Sequence, residues 1–101
     1  MIVFNTTYLV AKGAESAFLQ WVKEVYAPLI TQTGLLTNGR LFKVLVSEEE
    51  GITYSLQFDA AGVPEMADFK KRCWPDLEKM VSARFGEAVL QFSTYLKSCE
   101  L

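Results

Sequence analysis

Residues 41–58, with the sequence LFKVLVSEEEGITYSLQF, decide the fold of this chain. Two runs rich in β-branched and aromatic residues, Leu41 to Val46 and Ile52 to Phe58, flank the short acidic connection Ser47 to Gly51. Runs of this composition favour strands. Because the connection is so short, the two strands must be antiparallel neighbours that form a hairpin.

A strand and a helix precede the hairpin. Ile2 to Val10 alternates between two faces, as a strand does. A helix is predicted from Gly13 to Gly34, with an interruption at Pro28 because proline lacks the N–H that a helix interior needs. Its predicted buried stripe consists of Ala14, Phe18, Trp21, Val22, Val25 and Leu29.

A helix and a strand follow the hairpin. The second helix is predicted from Pro64, a residue suited to the first helical position, to Gly86, with a disturbance at Pro75. Its predicted buried stripe consists of Met66, Phe69, Cys73, Leu77, Met80 and Val81. Ala88 to Lys97 is predicted to be the closing strand.

The order β-α-β-β-α-β predicts an α+β fold of the ferredoxin-like type, as a single domain over residues 1–101. Each half repeats the order strand, helix with a proline partway, glycine, strand. Right-handed crossovers would place both helices on one face of a four-stranded antiparallel sheet. The other face would then be bare unless something covers it.

The alternation of the strands predicts which side chains face the helices. The more apolar set is assigned to the helix side: Ile2, Phe4, Tyr8, Val10, Phe42, Val44, Val46, Leu90, Phe92 and Leu96. The opposite set is mixed, yet its leucines and valines would form a larger patch than a monomer usually exposes. We therefore expect a homodimer in which two sheets face each other and form a dimeric α+β barrel.

Composition excludes several classes of function. The chain has no histidine and only two cysteines, Cys73 and Cys99, so it lacks the commonest general base and metal ligand. Its net charge of −2 disfavours a nucleic-acid partner. No apolar run approaches the roughly 20 residues that span a bilayer, and Met1 to Val10 is not a signal peptide. We expect a cytoplasmic protein with no membrane partner, no metal and no cofactor.

A ligand pocket between the helices and the sheet is one interpretation of the aromatic residues. The predicted walls are Trp21, Tyr26, Tyr54, Phe58 and Trp74, with Asn5, Arg40 and Gln57 as polar contacts. The alternative is that these aromatic residues are core, because apolar residues at helix and strand spacing usually pack together. The sequence alone leaves both open.

Two charged runs and the strand order suggest three further functions: a cation site, an anion site and RNA recognition. Glu48 to Glu50 is more typical of a solvated hairpin tip than of a cation site, and Lys70 to Arg72 is more typical of a solvated helix surface than of an anion site. RNA-recognition domains share the strand order, but they have a basic residue before the glycine of the third strand. Here Glu50 precedes Gly51, so that function is excluded.

Three segments resemble a known family. Gly51 to Phe58, Trp21 to Pro28 and Arg84 to Gly86 are similar to a family of small uncharacterised bacterial proteins, a domain of unknown function within the dimeric α+β barrel superfamily typified by antibiotic-biosynthesis monooxygenases. The resemblance implies the barrel dimer and no assigned activity. Members of the family often carry a histidine before the first helix's proline, where this chain has Tyr26. Axial histidine ligation of haem is therefore excluded.

These observations predict a small binding or regulatory module that holds a hydrophobic or aromatic metabolite. The alternative is a cofactor-independent monooxygenase-like enzyme that acts on a planar organic substrate, and a third hypothesis is a purely structural partner domain. The sequence contains no catalytic signature that would favour the enzyme.

Overall fold

The computed structural model describes residues 1–45 and 51–101, and within these ranges it contains four strands and four α-helical segments. Their bounds are β1 (Ile2–Val10), α1 (Glu15–Trp21), α2 (Ala27–Gln32), β2 (Leu36–Lys43), β3 (Ile52–Ala60), α3 (Val63–Arg72), α4 (Trp74–Phe85) and β4 (Val89–Lys97). Single helical turns add Lys12–Ala14, Val22–Tyr26 and Gly86–Ala88. The predicted order β-α-β-β-α-β is confirmed.

The four strands form one antiparallel sheet in the order β2-β3-β1-β4. β1 is therefore a central strand, and its residue Asn5 lies opposite Gln57 of β3 and Thr94 of β4. The order and the two crossovers are those of the predicted ferredoxin-like fold.

All the described helices pack on one face of this sheet. The ring of Phe18 from α1 lies 5.2 Å from that of Tyr8, and Phe69 of α3 and Trp74 of α4 lie 5.2 Å and 4.8 Å from Phe4. The main core therefore lies between β1, β3 and the helices. We call the other side of the sheet the open face, because no described element covers it. None of the described helices is long and apolar enough to cross a membrane.

The first helical arm is interrupted just before Pro28, as predicted. The N–H of Ala27 bonds to the carbonyl of Val22, five residues back, so Val22–Tyr26 forms a π-helical turn. Pro28 then lies in the first turn of α2, where its missing N–H costs no hydrogen bond. The arm ends at Gly34, whose φ of +75° suits a residue without a side chain.

The second helical arm divides into two helices. α3 ends at Arg72 and α4 begins at Trp74, so Pro75 stands in the first turn of α4. The prediction of one disturbed helix is thus refined to two helices that meet at Cys73. Proline is tolerated at such a start for the same reason as at Pro28.

The predicted bounds of the second strand were wrong. β2 was expected from Leu41 to Val46, but it runs from Leu36 to Lys43, and Val46 lies outside the described residues. The start of β2 is not recognisable from the sequence pattern, because residues 37–40 form a polar stretch. It contains a bulge, where the pairing register shifts and Asn38 adopts a φ of +55°.

The predicted faces of β2 and β4 were also wrong. Leu90, Phe92 and Leu96 lie opposite Leu9, Thr7 and Val3 on the open face, and Phe42 lies there opposite Ser55. Their helix-facing neighbours are instead Leu41 of β2 and Val89, Gln91, Ser93 and Tyr95 of β4. Both faces of β2 and β4 are partly apolar. A register shift of one residue moves every side chain of a strand to the opposite face of the sheet. The open face is consequently more apolar than expected.

Candidate functional site

A cleft of about 950 Å³ opens between the first helical arm and the β2 edge of the sheet, and we call it the edge cleft. Its helical wall comprises Leu19, Val22, Lys23, Ala27, Pro28, Thr31 and Gln32, and its sheet wall comprises Gly39, Arg40, Leu41, Leu56 and Phe58. Most of these side chains are apolar. Clefts of this size and character are typical of small-molecule sites.

Two local features shape the edge cleft. The π-turn places Val22 and Lys23 in the helical wall, directly before Pro28. On the sheet side, a Cβ atom at Gly39 would lie 2.6 Å from Cε1 of the Phe58 ring. Since no side chain fits at that position, the sheet wall stays flat over Phe58.

The two basic residues of the edge cleft differ in their surroundings. Arg40 forms a 2.9 Å salt bridge with Asp59 and donates a 2.9 Å hydrogen bond to the carbonyl of Asn38. Hydrogen bonds from Asn38 and Arg40 hold the pKa of Asp59 below its usual value. Lys23 is exposed and has no ion pair within the described part of the chain. Asp59 therefore neutralises the charge of Arg40. No ion pair among the described residues neutralises the charge of Lys23.

Two tyrosine hydroxyls lie deeper, between β1 and the helices. Tyr26, from the π-turn, stacks on Trp21 with ring centroids 4.7 Å apart, and Tyr8 packs against Phe18. Burial raises the pKa of Tyr8 to about 12, an effect that the nearby Tyr26 hydroxyl partly offsets, and burial also raises the pKa of Tyr26. Both tyrosines are fully buried, so neither is accessible to a bound molecule in this conformation.

A third polar group stands at the start of the first helical arm. The hydroxyl of Tyr54 donates a 2.5 Å hydrogen bond to Glu15, whose carboxylate also lies 3.6 Å from the Lys43 ammonium. The hydrogen bond from Tyr54 lowers the pKa of Glu15, and burial raises that of Tyr54 to about 12. Because its hydroxyl is hydrogen-bonded to Glu15, Tyr54 links α1 to β3.

The open face combines exposed apolar residues with a central polar network. Its large exposed side chains are Phe42, Leu90, Phe92 and Leu96. Between them, Asn5 accepts a 2.5 Å hydrogen bond from Ser55 and donates one of 3.2 Å to Thr94, and Gln57 donates to Ser55 at 3.3 Å. The polar groups thus satisfy one another within the protomer.

The eight predicted site residues do not share one cavity. Arg40 and Phe58 meet at the edge cleft, whereas Asn5 and Gln57 lie in the open-face network. The other four belong to the core or its margin: Trp21, Tyr26, Tyr54 and Trp74. Arg40 lies opposite Gln57 in the strand register, so it starts from the same face of the sheet as Asn5 and Gln57 and borders the edge cleft from the β2 edge, whereas Phe58 is on the helix side.

Sequence reasoning missed most of the cleft wall. Lys23 and Pro28 were noted only as parts of a helix, and Gly39 was assigned to no element. A signal for Gly39 existed in the Asn38-Gly39 pair, which is typical of positions that need an unusual backbone conformation. A lysine on a helix is usually expected to face solvent. Lys23 lines the edge cleft because the first helical arm lies beside the β2 edge of the sheet.

Of the two charged runs, only Lys70 to Arg72 lies within the described residues. Among the described residues, no group of three or more histidine, cysteine or acidic side chains could hold a metal ion. The hypothesised cation site at Glu48 to Glu50 lies outside the described residues. Lys70 sits over the ring of Tyr95 at 4.7 Å, and Arg72 pairs with Asp68 at 3.4 Å, as expected for a solvated helix surface.

Comparison with protein families gives one match, which covers residues 1–99: a domain of unknown function, DUF4286. No curated protein matches the chain by sequence.

Solved structures with the same fold are numerous and distant in sequence. A Deinococcus radiodurans protein, provisionally named an antibiotic biosynthesis monooxygenase, is 11% identical with a TM-score of 0.69, and the match covers 100% of this chain and 95% of that one. A Bacillus halodurans protein of the ethyl tert-butyl ether D family is 12% identical with a TM-score of 0.69, covering 98% and 100%. An uncharacterised NIPSNAP domain protein from Burkholderia xenovorans is 18% identical with a TM-score of 0.63, covering 98% and 95%. At these identities the likeness establishes the ferredoxin-like fold alone.

Proposed function

The chain belongs to the DUF4286 family, and for this member we propose a binding function: it is a homodimeric module that holds a small apolar or aromatic metabolite in the edge cleft. The observation that carries the proposal is the cleft itself, about 950 Å³ with mostly apolar walls. Burial of apolar ligand surface supplies affinity at about 25 cal/mol per Å². A few polar groups at the rim would orient the ligand.

The cleft walls favour binding over catalysis. Within the described chain, the polar side chains of the cleft are Lys23, Thr31, Gln32 and Arg40, and none of them is a carboxylate or thiol that could serve as a general base or nucleophile. The monooxygenase-like alternative needs a substrate that supplies its own reactive carbanion. The fold likeness to proteins of that name does not by itself transfer their activity.

The dimer is proposed from the open face. Phe42, Leu90, Phe92 and Leu96 are exposed on a sheet surface with no described element over it. A second copy placed sheet to sheet would cover both patches at once, and the resulting two-fold interface is the commonest form of homo-oligomer.

Native mass spectrometry of protein purified from the cells that make it tests this proposal. We expect the mass of a dimer plus a small molecule that is released on denaturation. A dimer without a bound compound would overturn the binding function and favour the structural role. A compound that is consumed in the presence of oxygen would favour the enzyme.

A pair of variants links the bound compound to the edge cleft. Ala27 lines the cleft, whereas Ala17 lies on the exposed surface of α1 outside it. Ala27→Phe would fill part of the cleft, so we expect it to lose the compound, and Ala17→Phe should retain it. Retention by both variants, with unchanged folding by circular dichroism, would contradict the cleft as the site.

A further inference from the structure

We propose that the ligand of the edge cleft is an anionic amphiphile, a compact apolar body that bears one carboxylate, and that Lys23 is its charge partner. The inference rests on the proposed function, because it names the class of ligand for the same cleft.

The described walls of the edge cleft carry only positive charge. Lys23 stands on the helical wall and Arg40 on the sheet wall, and no acidic side chain is among the lining residues in the described ranges. The acidic residue next along the helix, Glu24, accepts a hydrogen bond from Gln20 at 3.4 Å and is not part of the wall. A cationic ligand would therefore meet uncompensated like charge, and an anionic one would not.

Lys23, and not Arg40, is the cation available to a ligand. The guanidinium of Arg40 is held by Asp59 at 2.9 Å and by the carbonyl of Asn38 at 2.9 Å. An anion at Arg40 would have to displace Asp59 or lie close to it. Lys23 has no competing ion pair in the described part of the chain, and its flexible stem can follow a charged group at the rim.

The floor of the cleft defines the other half of the ligand. No side chain projects from Gly39, Leu41 is half-buried on the sheet wall, and the buried side chains of Leu56 and Phe58 lie beneath them, so this side of the cleft is apolar. A flat hydrocarbon body fits against this floor while its charged group stays at the rim near Lys23. That division lets the carboxylate remain partly hydrated, which avoids the cost of burying a charge.

The test uses 2-naphthoate as the anionic probe and 2-naphthamide as its neutral counterpart, titrated by calorimetry into ligand-free protein at low ionic strength. We expect the naphthoate to bind about two- to fivefold more tightly, the range that an exposed ion pair contributes. Lys23→Ala should remove this preference and leave the affinity for naphthamide unchanged. Lys12→Ala removes an exposed lysine outside the cleft and should change neither affinity.

Each other outcome overturns the inference. Equal binding of the two probes, or a preference that survives Lys23→Ala, would show that charge at Lys23 does not select the ligand, although the cleft would still be a binding site. If neither probe binds, this ligand class is wrong, and a compound retained in the mass spectrum would separately uphold the proposed function. Loss of both affinities in Lys23→Ala would assign the lysine a structural role.

Discussion

Tyr8 and Tyr26 are fully buried, and within the described chain neither hydroxyl has a hydrogen-bond partner of normal geometry. Leaving a buried hydroxyl unpaired costs about 1–3 kcal/mol. We therefore expect Tyr26→Phe to leave the free energy of unfolding unchanged or to raise it by up to about 1 kcal/mol, measured by urea denaturation. A loss of more than about 1 kcal/mol would mean that the hydroxyl has a partner in solution, either the Tyr8 hydroxyl beside it or an internal water.

Tyr54 should behave in the opposite way, because its hydroxyl has a partner. Its hydrogen bond lowers the pKa of Glu15 below the ordinary value of 4.5, so the folded protein takes up a proton there less readily than the unfolded chain. This interaction stabilises the fold above that pH and is lost as the pH falls through the lowered pKa. We expect Tyr54→Phe to lower stability at neutral pH and to flatten its decline as the pH falls below the ordinary Glu15 pKa of 4.5.

Tyr26→Phe provides the matched control for this pH dependence. It removes the same atom from the same residue type, but the Tyr26 hydroxyl makes no hydrogen bond to a carboxylate among the described residues, so the wild-type decline in acid should persist. Urea titrations of the three proteins at each pH supply the comparison. An acid decline that is equally steep in Tyr54→Phe would show that Glu15 gains nothing from the hydrogen bond.

At the scale of single elements, Gly39 is the position in β2 that tolerates least change. An added methyl group would meet the Phe58 ring at 2.6 Å, closer than van der Waals contact allows. We expect Gly39→Ala to cost about 1–3 kcal/mol, the usual penalty for overpacking. Thermal denaturation would measure it.

Gly13→Ala is the control for that substitution. No atom lies within 4 Å of the Cβ position at Gly13, and its φ is not positive, so alanine should be neutral or mildly stabilising there. Equal destabilisation by both substitutions would mean that flexibility, and not the contact with Phe58, sets the requirement for glycine.

The strands show how far sequence patterns reach. β1 was predicted with its observed bounds and faces because Phe4, Tyr8 and Val10 mark one side clearly. β4 has Leu90 and Phe92 on one side and Val89 and Tyr95 on the other. Alternation locates such a strand but does not say which side meets the helices, since tertiary packing decides that.

The candidate site was less predictable than the fold. Aromatic residues predicted a pocket, yet Trp74 and Tyr26 proved to be packed inside the core. The edge cleft arises from the position of the first helical arm relative to β2, a distance between elements that no local pattern encodes. Of the predicted site residues, Arg40 and Phe58 line the edge cleft, and whether either contacts a ligand stays a prediction.

For the whole molecule, the decisive test concerns the open face. Phe92 lies on this face in the edge strand β4, opposite Thr7 of β1, and is 61% exposed. If two copies pair through this face, Phe92→Glu would bury an unpaired charge in each half of the interface, and we expect a soluble monomer. Light scattering coupled to size-exclusion chromatography measures the mass directly.

Val25→Glu is the control for the loss of the dimer. Val25 was predicted to be buried, but it is an exposed apolar residue, and it lies on the helical side of the sheet. This variant should keep the mass of the wild-type protein. A wild-type monomer, or a Phe92→Glu dimer, would contradict pairing through the open face.

The π-turn at Val22–Tyr26 also affects how the first helical arm aligns with an uninterrupted helix. Such a turn, closed by a hydrogen bond across five residues, holds one residue more than an α-helical turn. Deleting one residue there would return the turn to α-helical length, but Pro28 would then lie inside a continuous helix, which its missing N–H and its ring oppose. An alignment with an uninterrupted helix therefore needs a gap of one position between Val22 and Ala27. The counterpart of Tyr26 in that helix depends on which side of Tyr26 the gap is placed.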